Sequence, residues 1–198
     1  MVASGGVMAA VQRDWRRVFG YAALSDAGYV LLAFGIGGSQ GLALTLMHVS
    51  SRSLSITLMA AALAILHHRA TTTAFEELGG VPRRLPITLL GLILGGLALA
   101  GCPVTAGFPT HWAIGRAVSS DRWLWALVLI GSSAAIAVGL LRGLSTMLGA
   151  APREDIARQP IIASLMVLAL AGLVIILGLH PQLFLEPVRN AVEAFSLF

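Results

Sequence analysis

Residues Ile87 to Val118 read ITLLGLILGGLALAGCPVTAGFPTHWAIGRAV, and this stretch decides the fold. A bilayer core about 30 Å thick is crossed by about 20 apolar residues in a helix. At about 32 residues the run is too long for one simple span, and Gly101-Cys102-Pro103 and Gly107-Phe108-Pro109 interrupt it. Proline removes a backbone donor and clashes with the preceding turn, so the helix is predicted to break at Gly101, Pro103, Gly107 and Pro109. Broken helices survive at membrane depth only where protein or a water-filled cavity satisfies the freed backbone groups. Transporters place ion sites at such breaks, whereas the plainer reading is a packing kink. His111 follows the break and is the one titratable side chain in the central part of the segment.

The remaining sequence has the same character. Four more apolar segments run roughly over 18–37, 42–66, 123–149 and 161–184, which gives an all-α polytopic protein of about five spans in one transmembrane domain, 1–198. Composition agrees: 57% of the 198 residues are hydrophobic and 11% charged, against about 25% charged in soluble domains, and mean hydropathy is +0.86. A chain this apolar is neither intrinsically disordered, nor a DNA-binding domain, nor a secreted disulfide scaffold. Cys102 is the only cysteine, so no internal disulfide or cysteine-based cluster forms. The opening Val2–Val11 is too short to span and reads as the tail of a helix that starts earlier. Its charges follow the weakly apolar part, the reverse of a signal peptide.

All 13 basic residues are arginine, and the formal charge is +4. Loop arginines that set topology account for this without nucleic acid. Arg13, Arg16, Arg17, Arg69, Arg83, Arg84, Arg153 and Arg158 fall on one side, with Arg116, Arg122 and Arg189 on the other. That imbalance predicts a cytoplasmic amino end.

Charged groups at mid-membrane cost about 2.5–3.5 kcal/mol each on the insertion scale, so each needs a reason. His48 and Arg52 are four apart and share a helix face, with Ser51 and Ser55 on the same stripe. The stripe either lines a hydrated path, with His48 exchanging protons and Arg52 as fixed charge, or forms a polar seam against a neighbouring helix. His111 either exchanges protons or bonds a backbone carbonyl. Asp26, between Ser25 and Gly28, requires a partner, either Arg52 or another subunit. His67 and His68 sit beside Arg69 at a helix end, read as an interfacial boundary, so no metal site is expected. His180 carries little signal. Walker loops, dinucleotide fingerprints, cysteine clusters and nucleophile triads are absent, so no cofactor is expected.

The run from Gln12 through Asp14, Arg16, Arg17, Tyr21, Ser25 and Gly28 to Tyr29 resembles a Q-x-D-x-K-R-x-x-A-Y-S-S-x-S-x-x-G-Y signature. That signature belongs to antiporter-like membrane subunits of proton-pumping NADH:quinone oxidoreductase (complex I) and of Mrp-type cation/proton antiporters. His48 with Arg52 is similar to the family's H-x-x-x-H-x-x-x-K helix. Leu78-Gly79-Gly80 with Pro86 resembles its L-x-G-L…P connection, and Ala100–Phe108 its broken G-x-P-x-x-x-G-F-x-x-K helix. The resemblance covers nearly the whole chain but only the second half of a typical member, and its details lean towards subunit N. It implies one of two inverted five-helix repeats, membrane-subunit partners of a complex I-like or Mrp-like assembly, a prokaryotic cytoplasmic membrane, and half of a proton path. It also implies a relay of lysines and histidines, from which this chain departs. One lysine position is Ile56, the second histidine is Arg52, the broken-helix lysine is His111, and the signature lysine is Arg16. The resemblance therefore also admits a degenerate structural subunit with no complete proton path.

Overall fold

The computed structural model describes residues 1–120, 123–151, 156–183, 186–188 and 192. Arg122, Arg153, Arg189 and Phe184, the last residue of the fifth expected segment, lie outside the described residues. Among those described, eight α-helices and one 3-10 turn make up the regular structure: α1 (Val2–Val11), α2 (Trp15–Ile36), α3 (Gly38–Ala70), the turn Phe75–Glu77, α4 (Val81–Arg84), α5 (Pro86–Leu99), α6 (Phe108–Ser119), α7 (Trp123–Gly149) and α8 (Ile161–Leu179). The architecture is all-α. Helices α2, α3, α7 and α8 are long and apolar enough to cross a membrane; α5 is a shorter apolar helix, and a break separates it from α6.

Asp14 starts α2. Its carboxylate accepts from the backbone N–H of Arg16 and Arg17, groups that have no partner within the helix, and Oδ2 accepts from the Thr73 hydroxyl at 2.7 Å. Backbone bonds from Trp15 N to Thr73 O and from Phe75 N to Arg13 O clamp this end to the segment after α3. Trp15 is fully buried between Phe75, at 5.1 Å between ring centroids, and Met147, whose sulfur receives the indole N–H. Gly37 and Gly38, both at positive φ, turn the chain directly from α2 into α3. The two helices are therefore antiparallel neighbours.

That connectivity gathers Arg13, Arg16, Arg17, Arg69, Arg83, Arg84 and Arg158 at one end of the helix stack, hereafter the basic end. The ten residues Val2–Val11 form a short helix packed between α2 and α7. The contact is made by small residues: Gly5 lies against the backbone of Ser25, Gly6 against Ser132, and Gly139 against Ala9. Ser25 and Ser132 both donate to the Val2 carbonyl. The main apolar core lies between α2, α3, α5 and α7, around Trp15, Met59, Leu66, Leu92 and Leu140.

The break spans Ala100 to Gly107. Gly101 and Val104 adopt positive φ there, and Ser51 of α3 donates to the freed Ala106 carbonyl at 2.6 Å. Pro109 departs from its sequence-based expectation. It occupies the first turn of α6 instead of the gap, where a missing N–H costs nothing because the first helical N–H groups are unpaired anyway.

Candidate functional site

Asp26 is the twelfth of the 22 residues of α2, close to the helix midpoint. His48 comes from the first third of α3, with Arg52 one turn further on, and His111 from the first turn of α6. Asp26 and His48 are each 1% exposed and His111 8%. The four side chains converge. Asp26 divides its carboxylate: Oδ2 lies 2.7 Å from Arg52 Nε, while Oδ1 lies 3.3 Å from His48 Nε2 and 3.7 Å from His111 Nε2. The Arg52 contact is an ion pair whose N–H is not aligned for a hydrogen bond, and the terminal Nη2 reaches the Ala23 carbonyl at 3.4 Å. Arg52, with a side chain 27% exposed, is the member nearest the molecular surface.

The break aims the histidines. Gly101 at φ +70° lets the backbone lie against His111; a Cβ added there would sit 2.5 Å from the imidazole Cγ. The Gly107 carbonyl, at the cap that starts α6, accepts from three donors: the His111 backbone N–H, His111 Nδ1 at 2.8 Å and the Thr110 hydroxyl at 3.0 Å. A carbonyl only accepts, so Nδ1 of His111 carries a proton and Nε2 of the neutral ring is a lone pair. That Nε2 is buried and has no hydrogen-bond partner. Thr110 spends its single proton on Gly107, so its oxygen accepts from His48 Nδ1 at 3.0 Å. His48 Nε2 faces the Asp26 carboxylate and, at 3.4 Å, the Asp26 backbone carbonyl. Both His48 nitrogens thus face acceptors. Tyr29 closes the pocket, its ring 4.1 Å from His111 and 5.9 Å from His48, with its hydroxyl donated to the Leu129 carbonyl.

The charges explain how the cluster tolerates burial. Asp26 and Arg52 form an ion pair whose opposite charges cancel. Asp26, His48 and His111 each offer a ligand atom within 4.8 Å of the others, a set of two imidazoles and one carboxylate of the kind that holds a divalent ion. The expectation of no metal site from sequence rested on His67 and His68 and did not consider this trio, whose convergence helix spacing does not reveal. The permanent charge of Arg52 on the same carboxylate favours a proton over a divalent ion.

Of the residues singled out from sequence, Asp26, His48, Arg52 and His111 come together, and Gly101 and Gly107 shape the pocket. Arg16 does not join them. It lies ten residues before Asp26, about 15 Å along the helix, where its guanidinium meets His67 Nδ1 at 2.6 Å at the basic end. Pro103 lies in the break itself. Ser51 and Ser55 are buried and bonded to the Ala106 and Ser51 carbonyls, so they serve backbone instead of lining an open path. Sequence reasoning missed Tyr29 and Thr110. Tyr29 follows Asp26 by three residues and so shares its face, and Thr110 adjoins His111. It also passed over Arg142 of α7, which donates to the Ala10 carbonyl at the end of α1.

Fold and site together define a polytopic membrane protein built on a discontinuous helix with an ionisable cluster at mid-depth, the arrangement of ion-translocating subunits. A family model described as "NADH:quinone oxidoreductase/Mrp antiporter, TM" matches residues 2–137, and the chain belongs to that family. It is 26% identical over 201 residues to NADH-quinone oxidoreductase subunit N 2 of Opitutus terrae, covering 97% of this chain and 41% of that one. Its fold superposes on a chain of the archaeal membrane-bound sulfane sulfur reductase with TM-score 0.85 at 24% identity, covering 97% of this chain and 39% of that one. For respiratory complex I of Thermus thermophilus the TM-score is 0.83 at 19% identity, covering 98% and 42%. The chain therefore spans about two fifths of the length of these relatives.

Proposed function

We propose that this chain contributes a proton-translocation half-channel to a multisubunit complex I-like assembly. The carrying observation is the convergence of Asp26, His48, Arg52 and His111 at the helix break. In this reading His48 and His111 exchange protons, and Asp26 Oδ1, within 3.7 Å of both Nε2 atoms, is the shared acceptor between them. Arg52 holds the other carboxylate oxygen as a fixed positive charge and does not itself release a proton. The Thr110 hydroxyl can turn its proton from the Gly107 carbonyl to His48 Nδ1 when that nitrogen is bare, so His48 stays hydrogen-bonded in both protonation states. In this reading the drive comes from partner subunits that carry out electron transfer. The assembly sits in a prokaryotic cytoplasmic membrane with the basic end, where α2 starts, towards the cytoplasm.

The test is proton flux into vesicles holding the purified native assembly, with co-purifying chains identified by mass spectrometry. His48→Gln lowers flux while electron transfer continues; unchanged flux overturns the relay. A second reading, an Mrp-type cation/proton antiporter component, is favoured by the family description itself. Under it, flux responds to a Na⁺ gradient and only antiporter subunits co-purify.

A further inference from the structure

At the basic end, Arg83 and Arg84 of α4 and Arg158, just before α8, face one open cavity of about 480 Å³ together with Ile87, Gln159 and Ser164. Among the described residues no carboxylate pairs with any of the three arginines. Gln159 adds a further donor. Its Oε1 accepts the Thr88 N–H at 3.2 Å, while its Nε2 is buried without an acceptor. The α5 and α8 helices both begin beside the cavity and turn their positive amino ends towards it. The three arginines, the Gln159 amide and the two helix ends all attract an anion.

The neighbouring surface is of the opposite kind. Ile161, Ile162 and Leu165, on the first turns of α8, are 78%, 84% and 62% exposed. Arginines that neutralise phosphate therefore sit directly above an apolar helix face at the depth where a lipid changes from headgroup to acyl chain. We propose that this cavity is a binding site for the phosphate headgroup of an anionic phospholipid, with Arg83, Arg84 and Arg158 on the phosphate, Gln159 donating a hydrogen bond, and the acyl chains along Ile161, Ile162 and Leu165. The site lies at the opposite end of α5 from the histidine cluster and does not rest on the proton reading.

The test is native mass spectrometry of the delipidated full chain titrated with phosphatidylglycerol, phosphatidylcholine or inorganic phosphate. Phosphatidylglycerol is retained over phosphatidylcholine, and each arginine removed weakens it on the order of fivefold, so the Arg83→Ala/Arg84→Ala/Arg158→Ala variant loses the preference. Arg13→Ala/Arg17→Ala, which removes two exposed charges elsewhere at the same end, keeps it. Four of the five replaced side chains are exposed and Arg84 is half-buried, and an unchanged helical circular dichroism spectrum verifies folding. Equal retention by the triple variant overturns the proposal, as does an equal loss in the Arg13/Arg17 control. Displacement of the lipid by matched inorganic phosphate identifies a free-anion site instead and also overturns it.

Discussion

Replacing Asp26 with asparagine keeps the shape of the side chain and deletes the one negative charge of the buried cluster. At 3.3 Å from His48 Nε2, the carboxylate stabilises a protonated imidazole by on the order of 5 kcal/mol at an effective dielectric of about 20. About 1.4 kcal/mol is a tenfold change in an equilibrium or rate, so losing even a third of that attraction, after local relaxation, slows transfer through the cluster more than tenfold. Arg52 loses its partner at the same time. Breaking a buried pair costs about 3–5 kcal/mol, and the partial exposure of Arg52 places this case at the low end. Two consequences are therefore superimposed, and a second variant separates them. Asp26→Asn with Arg52→Gln removes both charges and recovers most of the thermal stability, but it leaves His48 and His111 without a shared acceptor. The assay is dye-monitored proton flux in vesicles of the native assembly, alongside its thermal midpoint. Flux falls at least tenfold in both variants, whereas stability falls chiefly in the single one. Wild-type flux in Asp26→Asn, or flux that returns with stability in the double variant, refutes the reasoning.

Three further substitutions probe the pocket wall. Gly101→Ala adds a Cβ at φ +70° and 2.5 Å from His111 Cγ. The left-handed backbone alone costs about 1–2 kcal/mol, so both thermal midpoint and flux drop. Thr110→Val keeps the volume but removes the hydroxyl that serves His48 Nδ1; flux falls and the midpoint changes little, as proton-flux and melting curves on one preparation show. Ser51→Ala strips the Ala106 carbonyl of its donor at 2.6 Å, costing about 1–3 kcal/mol of stability, read as a lower midpoint with the pumping ratio per folded complex retained.

Much of the fold was legible because membrane spans are written in hydropathy and length, quantities local to each segment. The break was equally legible, since Gly101-Cys102-Pro103 and Gly107-Phe108-Pro109 offer few helical solutions; only the placement of Pro109, inside α6, required coordinates to see. The cluster was half legible. Each of Asp26, His48, Arg52 and His111 stands out alone as a costly group in an apolar segment, and four-residue spacing pairs His48 with Arg52. Their meeting on one carboxylate depends on how α2, α3 and α6 cross, which no local pattern encodes. The same limit hid Thr110 and Tyr29, ordinary residues until the Gly107 carbonyl and the His111 ring are placed beside them. Arg16, prominent in the motif, serves the helix end where it meets His67.

The most direct measurement compares proton flux per electron transferred in the native assembly carrying His111→Ala or His111→Lys. His111→Ala removes the lone pair facing Asp26 and is expected to abolish flux through this subunit, and His111→Lys, which restores a titratable group at the break, to recover part of it. Unchanged flux in His111→Ala would contradict the account at its centre.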